Sequence, residues 1–147
     1  RPDLALFKFT KAMLNNQPID IYNNGEMHRD FTYIDDLVKA ILLLMNNIPR
    51  RENVQKTEDD KSSVAPFRII NIGNSSKVKL TDFILEIEKK LNIKAKRNYM
   101  PLQTGDVPDT WADCELLEIE TGFKPSVSIS QGISDFIDWY LEYYEKK

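Results

Sequence analysis

The stretch Gly25-Glu26-Met27-His28-Arg29-Asp30-Phe31-Thr32-Tyr33-Ile34-Asp35-Asp36 runs from a turn through a β-prone segment into a helix start. Asn23-Asn24-Gly25 is the turn signal. Phe31–Ile34 predicts a short strand, because aromatic and β-branched side chains suit a pleated surface. Asp35 or Asp36 then caps a helix with Leu37, Val38, Ile41, Leu42 and Met45 on one face. Arg29 lies between the turn and the strand. From there its planar guanidinium can aim a fixed fork of donors into a cleft, a geometry suited to phosphate. On the residues alone, a surface pairing with Asp30 or Asp35 is the plainer reading of Arg29. His28, in a polar turn, reads as an exposed loop histidine.

The flanking sequence continues the alternation of helix and strand. Leu4–Leu14 is apolar on most sides and predicts a buried helix, with Asp3 as its N-cap. Pro18 closes that helix off, and Ile19-Asp20-Ile21-Tyr22 alternates as a strand should. Residues 48–66 are polar, charged and bracketed by Pro49 and Pro66, which predicts a surface loop. Phe67–Ile72 is rich in β-branched residues and predicts a strand ended by Gly73-Asn74. Phe83, Ile84, Ile87 and Leu91 are spaced for an amphipathic helix. Residues 95–100 predict a short strand, 101–108 a loop, and 113–120 a short helix stopped by Thr121-Gly122. Ser128-Ile129-Ser130-Gln131 matches a capping box ahead of a last helix carrying Ile133, Phe136, Ile137, Tyr140, Leu141 and Tyr144 on one face. The order is α/β or α+β, with too few strands for a complete doubly wound sheet.

The 147 residues suffice for one domain with a real core, and 41% hydrophobic with 29% charged residues is an ordinary globular composition. No apolar run approaches the ~20 residues of a membrane span. The net charge of −3 lacks the basic footprint of nucleic-acid binding. Lys89, Lys90, Lys94, Lys96 and Arg97 read as a solvated helix end and strand edge. One cysteine and one histidine fall short of the four ligands of a structural zinc site, and a lone Cys114 excludes an internal disulfide. Arg1 in place of a methionine, followed at once by helix-like sequence, predicts a domain of a longer protein.

Dinucleotide and triphosphate motifs are missing. The five glycines, at 25, 73, 105, 122 and 132, form neither G-x-G-x-x-G nor a P-loop. Gln103-Thr104-Gly105-Asp106-Val107-Pro108 is a Gly-Asp turn between prolines that can hold a carboxylate rigidly, where ribose hydroxyls could donate to it. Most such turns do nothing of the kind.

Taken together, GEMHRDFTYIDD, INIGN, QTGDVPDTWAD, GFKP and the terminal amphipathic helix resemble one family. It is the C-terminal half of the extended short-chain dehydrogenase/reductase sugar-nucleotide epimerases, in the UDP-glucuronate 4-epimerase branch. The resemblance implies an α/β fold, the substrate-binding portion of a Rossmann-type enzyme, with a few strands flanked by helices. It implies that residues 1–147 lack the NAD-binding half, with its Gly-rich turn and catalytic Tyr-x-x-x-Lys pair. Tyr143 with Lys147 is a chance match to that pair, so no catalytic, cofactor-binding or metal residue is expected here. The family reaction oxidises C4 of the sugar with NAD, turns the 4-keto sugar, and returns the hydride to the other face.

By the same resemblance, Arg29 contacts the UDP diphosphate, and Asp106 with Gln103 sits at the ribose and diphosphate. Many relatives carry Arg at the Gln103 position. Ile19, Asp20 and Tyr22 face the uracil, Asp3 and Leu4 line the sugar–diphosphate pocket, and Arg1 reaches the sugar carboxylate. A UDP-sugar is the expected ligand, with neither nucleic acid nor membrane as partner. The full-length enzyme is expected to be a cytoplasmic homodimer. The alternatives are another nucleotide-sugar epimerase, a 4,6-dehydratase, a non-catalytic binding module on this fold, and a remnant with no ligand.

Overall fold

The structure is a computed structural model that describes residues 2–49 and 67–145. Its elements in order are α1 (Ala5–Leu14), β1 (Pro18–Ile21), β2 (His28–Asp30), α2 (Ile34–Met45), β3 (Lys77–Lys79), α3 (Leu80–Leu91), β4 (Lys96–Tyr99), α4 (Glu115–Thr121) and α5 (Ile129–Glu145). The chain divides into two compact units, one of Arg1–Arg29, Lys77–Thr110 and Ser128–Lys147, the other of Asp30–Ser76 and Trp111–Val127.

In the first unit β1 and β4 pair in parallel, with Pro18 opposite Lys96 and Ile21 opposite Tyr99. Alternation along β1 buries Ile19 and Ile21 and leaves Asp20 exposed. The apolar stripe of α3 buries Phe83, Ile84 and Ile87, and that of α5 buries Ile133, Ile137 and Tyr140. These two helices pack on one another, and α1 adds Phe9 and Met13 to the buried set. Each such side chain contributes roughly 1.5–3 kcal/mol of transfer free energy. β2 pairs with β3, and the Leu80 amide donates to the Met27 carbonyl at 2.9 Å.

A buried carboxylate ties the end of α3 to β4. Glu88 accepts from Lys94 Nζ at 2.9 Å, the Ala95 amide at 3.0 Å and Arg97 Nη2 at 3.1 Å. Two residues of the basic run are thus committed to one internal carboxylate. Lys90 pairs with Asp138 at 2.7 Å, so the run is a set of ion pairs with only part of its charge free.

The second unit has a small core of Ala40, Cys114 and Leu117, with Leu44, Ile70, Ile72, Ala112 and Phe123 against it. Two carboxylates organise its loops. Asp30 accepts from the amides of Asn74 at 3.1 Å, Ser75 at 3.0 Å and Ala112 at 3.1 Å. Asp36 accepts from the amides of Ser126 at 2.8 Å and Val127 at 2.9 Å. Gly73 permits the first of these arrangements. A Cβ there would stand 2.6 Å from the Ala112 Cβ and 2.8 Å from Asp30 Oδ2, closer than real contacts allow. Arg68 forms an ion pair with Glu120 and donates to the Asn47 carbonyl at 2.9 Å.

Several local expectations are corrected. The second strand is His28–Asp30, and Phe31–Tyr33 is irregular, because a strand exists only where a partner supplies hydrogen bonds, and β3 supplies them earlier in the chain. Residues 67–72 hold a single bridge at Arg68 and no strand, since no described strand pairs with 69–72. Tyr33 is the N-cap of α2, and Asp35 and Asp36 lie in its first turn without capping it. Leu4 is the N-cap of α1, in place of Asp3. On α2 the buried positions are Asp36 and Ala40, while Val38, Ile41, Leu42 and Met45 are exposed. Ser128 does cap α5, accepting from the Gln131 amide at 3.2 Å, but the Gln131 side chain turns forward to Asp135. Most of the 48–66 loop lies outside the described residues.

Candidate functional site

The site is built within the first unit from β2 and the loop that runs from β4 to Thr110. At its start the loop is tied to β1 and the turn after it. The Met100 amide donates to the Ile21 carbonyl at 2.9 Å, and the Asn24 amide to the Met100 carbonyl at 3.1 Å. That turn places Asn23, Asn24 and Gly25 in the left-handed region (φ 50°, 51° and 85°), which Asn and Gly tolerate best. At its end the loop is tied to β2, where the His28 amide donates to the Pro108 carbonyl at 2.9 Å and the Thr110 amide to the His28 carbonyl at 3.2 Å. Between these ties, the Asp106 amide donates to the Gln103 carbonyl at 3.1 Å, and Gly105 at φ 86° turns the chain.

Arg29 is locked to this loop. Its Nη2 donates to Asp106 Oδ1 at 2.9 Å, and its Nη1 donates to the carbonyls of His28 and Pro108, each at 2.9 Å. The Val107 amide donates to the same Asp106 oxygen at 3.0 Å. Of the five guanidinium N–H groups, three are engaged among the described residues, and no described donor meets Asp106 Oδ2. Neither Asp30 nor Asp35 is the partner of Arg29. The pairing with Asp106, 77 positions away, replaces both local alternatives.

His28 is half-buried in β2 and is not a free loop residue. Its Nδ1 lies 2.7 Å from Asp109 Oδ1, and Lys77 Nζ lies 3.8 Å from Asp109 Oδ2. A carboxylate only accepts, so Nδ1 carries the proton. The hydrogen bond from His28, with the charge of Lys77 behind it, holds the Asp109 carboxyl below the usual carboxylate range.

The structure thus brings together Arg29, Asp106 and Gln103 directly. It joins the Ile19–Tyr22 segment to the same loop through Met100, and Asp20 accepts from Asn98 Nδ2 at 2.7 Å. Ile19 is buried, so only its backbone can meet a ligand. Asp3 and Leu4 are exposed at the head of α1, and Leu4 shares no hydrogen bond with the Arg29 network. Arg1 lies outside the described residues. Sequence reading missed Asp109 and Lys77. The only signal was the adjacency of Asp109 to the Gly105-Asp106 turn, and the partner that gives it meaning is far away in sequence.

A model described as GDP-mannose 4,6-dehydratase matches residues 6–136. The chain belongs to that family. Within the GDP-mannose 4,6-dehydratase family it is 51% identical over 148 residues to Protein CapI of Staphylococcus aureus, spanning 99% of this chain and 44% of that protein. It is 48% identical to a probable UDP-glucuronate 4-epimerase of Rhizobium meliloti, spanning 99% of this chain and 44% of that one. Among solved structures it resembles the UDP-glucuronic acid 4-epimerase of Bacillus cereus in complex with UDP-glucuronic acid and NAD. The TM-score is 0.79 at 28% identity, over 98% of this chain and 41% of that chain. The chain therefore spans less than half the length of the relatives it matches. The resemblance to nucleotide-sugar epimerases and to their Rossmann-type fold is borne out. Among the described residues, no helix is long and apolar enough to cross a membrane.

Proposed function

We propose that residues 1–147 hold the UDP group of the substrate in an NAD-dependent UDP-glucuronate 4-epimerase. The observation that carries this reading is the fixed Arg29–Asp106 pair, set on a loop in a chain whose relatives include UDP-glucuronate 4-epimerases. The two open donors of Arg29 suit the diphosphate, since a guanidinium makes paired, charge-assisted bonds to such oxygens. The open oxygen of Asp106 suits a ribose hydroxyl. Gln103 adds a neutral donor on the same turn, and the β1 segment offers backbone groups to the uracil. Asp3, Leu4 and Arg1 are assigned to the sugar side.

The residues present do not fit NAD itself. The described strands are not followed by a glycine-rich turn opening a helix, and Gly105, the glycine of this loop, is followed directly by Asp106 and opens no helix. Hydride transfer is therefore assigned to no residue of this chain, and NAD is held, on this reading, by residues outside the 147. The division makes physical sense. An epimerase must let the 4-keto sugar turn without losing it, and binding energy placed on the nucleotide retains the ligand while leaving the reacting carbon free.

The test is turnover by the full gene product, offered UDP-glucuronate and UDP-glucose in parallel. Interconversion at C4 of UDP-glucuronate supports the reading. Preference for UDP-glucose moves it to another nucleotide-sugar epimerase, and loss of the 6-oxygen to a 4,6-dehydratase. Binding of UDP-sugars without turnover indicates a non-catalytic module.

A further inference from the structure

We infer that His28 is a positioning residue that sets the place of the Asp106 loop through Asp109, an inference that rests on the substrate role proposed above for Arg29 and Asp106. Pro108, Asp109 and Thr110 are three successive residues of the loop held on β2 at His28. Two backbone hydrogen bonds hold the outer two, and the His28 side chain holds the middle one at 2.7 Å. The same loop aims Arg29. The Pro108 carbonyl and the Asp106 carboxylate are two of its three acceptors, so a shift of 108–110 moves both and re-aims the guanidinium.

Beyond these ties and the bonds from Arg29, the tip of the loop is open among the described residues. A Cβ built on Gly105 meets nothing within 4 Å, so the tip stands in open space. Val107 is half exposed, and its side chain does not anchor the tip in the core. Lys77 Nζ adds a charge contact to Asp109 at 3.8 Å. Arg29 holds the Pro108 carbonyl and Asp106, and the short, directional bond from His28 Nδ1 is the side-chain hydrogen bond that fixes Asp109 between the two backbone ties. His28 precedes Arg29 in β2, so their side chains leave opposite faces of the strand. His28 thus acts on the ligand site through the loop, with no need to touch the ligand.

The geometry separates two conservative replacements. Asparagine carries its amide nitrogen at the δ position, where Nδ1 of His28 sits, and can donate to Asp109. Glutamine carries it one bond farther out, at the ε position. In the full gene product acting on UDP-glucuronate, His28→Ala raises KM about fivefold, the effect falling on KM rather than kcat. His28→Asn returns KM to within about twofold of the wild type, and His28→Gln does not. Hydrogen exchange of the Thr110 amide in the same variants follows the same order. An unchanged KM in His28→Ala, or Asn performing no better than Gln in both measurements, overturns the inference. If the wild-type protein turns over no UDP-sugar, the substrate reading fails on its own. Thr110 exchange that quickens in Ala and Gln but not in Asn then upholds the loop positioning, and exchange indifferent to all three overturns it.

Discussion

The guanidinium of Arg29 meets the carboxylate of Asp106 at 2.9 Å, across 77 positions of sequence. Asp106 neutralises part of the charge of Arg29 but also fixes its plane, so the cation is oriented in advance for the ligand proposed above. Arg29→Ala is expected to weaken UDP-glucuronate binding by ~1.5–3 kcal/mol, the range for a charged hydrogen bond. Arg29→Lys recovers little of this, because one ammonium cannot serve Asp106, two carbonyls and a diphosphate together. Calorimetry on the full gene product measures both, and an unchanged affinity in the alanine variant takes Arg29 out of the site.

Glu88 is the acid-sensitive joint of the first unit. Burial pushes its carboxyl up, but the hydrogen bonds from Lys94, the Ala95 amide and Arg97 outweigh burial and hold it below its ordinary value. A carboxyl held low in the folded state gives stability that is complete above the unfolded value and fades as pH falls through the folded one. Glu88→Ala is expected to cost about 3 kcal/mol at pH 7, since it leaves Arg97 partly buried without its partner. Glu88→Gln costs less, and its deficit relative to wild type shrinks below about pH 4. Urea unfolding at pH 7 and at pH 3 checks this. A deficit independent of pH would mean that packing, not charge, sets the role of Glu88.

Asp36→Ala leaves the amides of Ser126 and Val127 without their acceptor. The expected loss is about 2 kcal/mol, with about half of it spared in Asp36→Asn, which keeps one acceptor oxygen. If the two variants prove equally stable to urea, the amides find water instead.

Gly73→Ala forces a methyl into the space held by Ala112 and Asp30. Overpacking of this kind costs about 1–3 kcal/mol. The substitution should also quicken hydrogen exchange of the Ala112 amide, the donor nearest the intrusion. A variant as stable as wild type, with that amide still protected, would show that the segment yields without loss.

The helices were legible because their signal is local. The spacing of Phe83, Ile84, Ile87 and Leu91 gives α3, and that of Ile133, Ile137 and Tyr140 gives α5. Polar anchors were not legible. Asp36 looks like a cap, yet its acceptor role depends on amides some 90 positions downstream. His28-Arg29-Asp30 looks like turn sequence and forms a strand because β3 arrives beside it. Phe67–Ile72 looks like a strand and pairs with nothing described beyond one bridge. In the candidate site Arg29 was singled out by its chemistry, and Asp106 by its turn. That they bond to each other, and that Asp109 and His28 hold them, is tertiary information.

The first unit is assembled from three separated stretches of chain, and β1 finds its partner about eighty residues later. During synthesis Ile19 and Ile21 must therefore wait unsheltered until β4 has emerged, and the face of α3 waits longer, for α5. Such long-range closure slows folding and leaves apolar strands open to wrong pairing. The second unit, whose last residue is Val127, has all of its own residues translated before α5 begins. A chain ended just short of residue 129 would thus carry the complete sequence of the second unit and a first unit lacking its closing helix. The order of folding is expected to run against the order of the sequence.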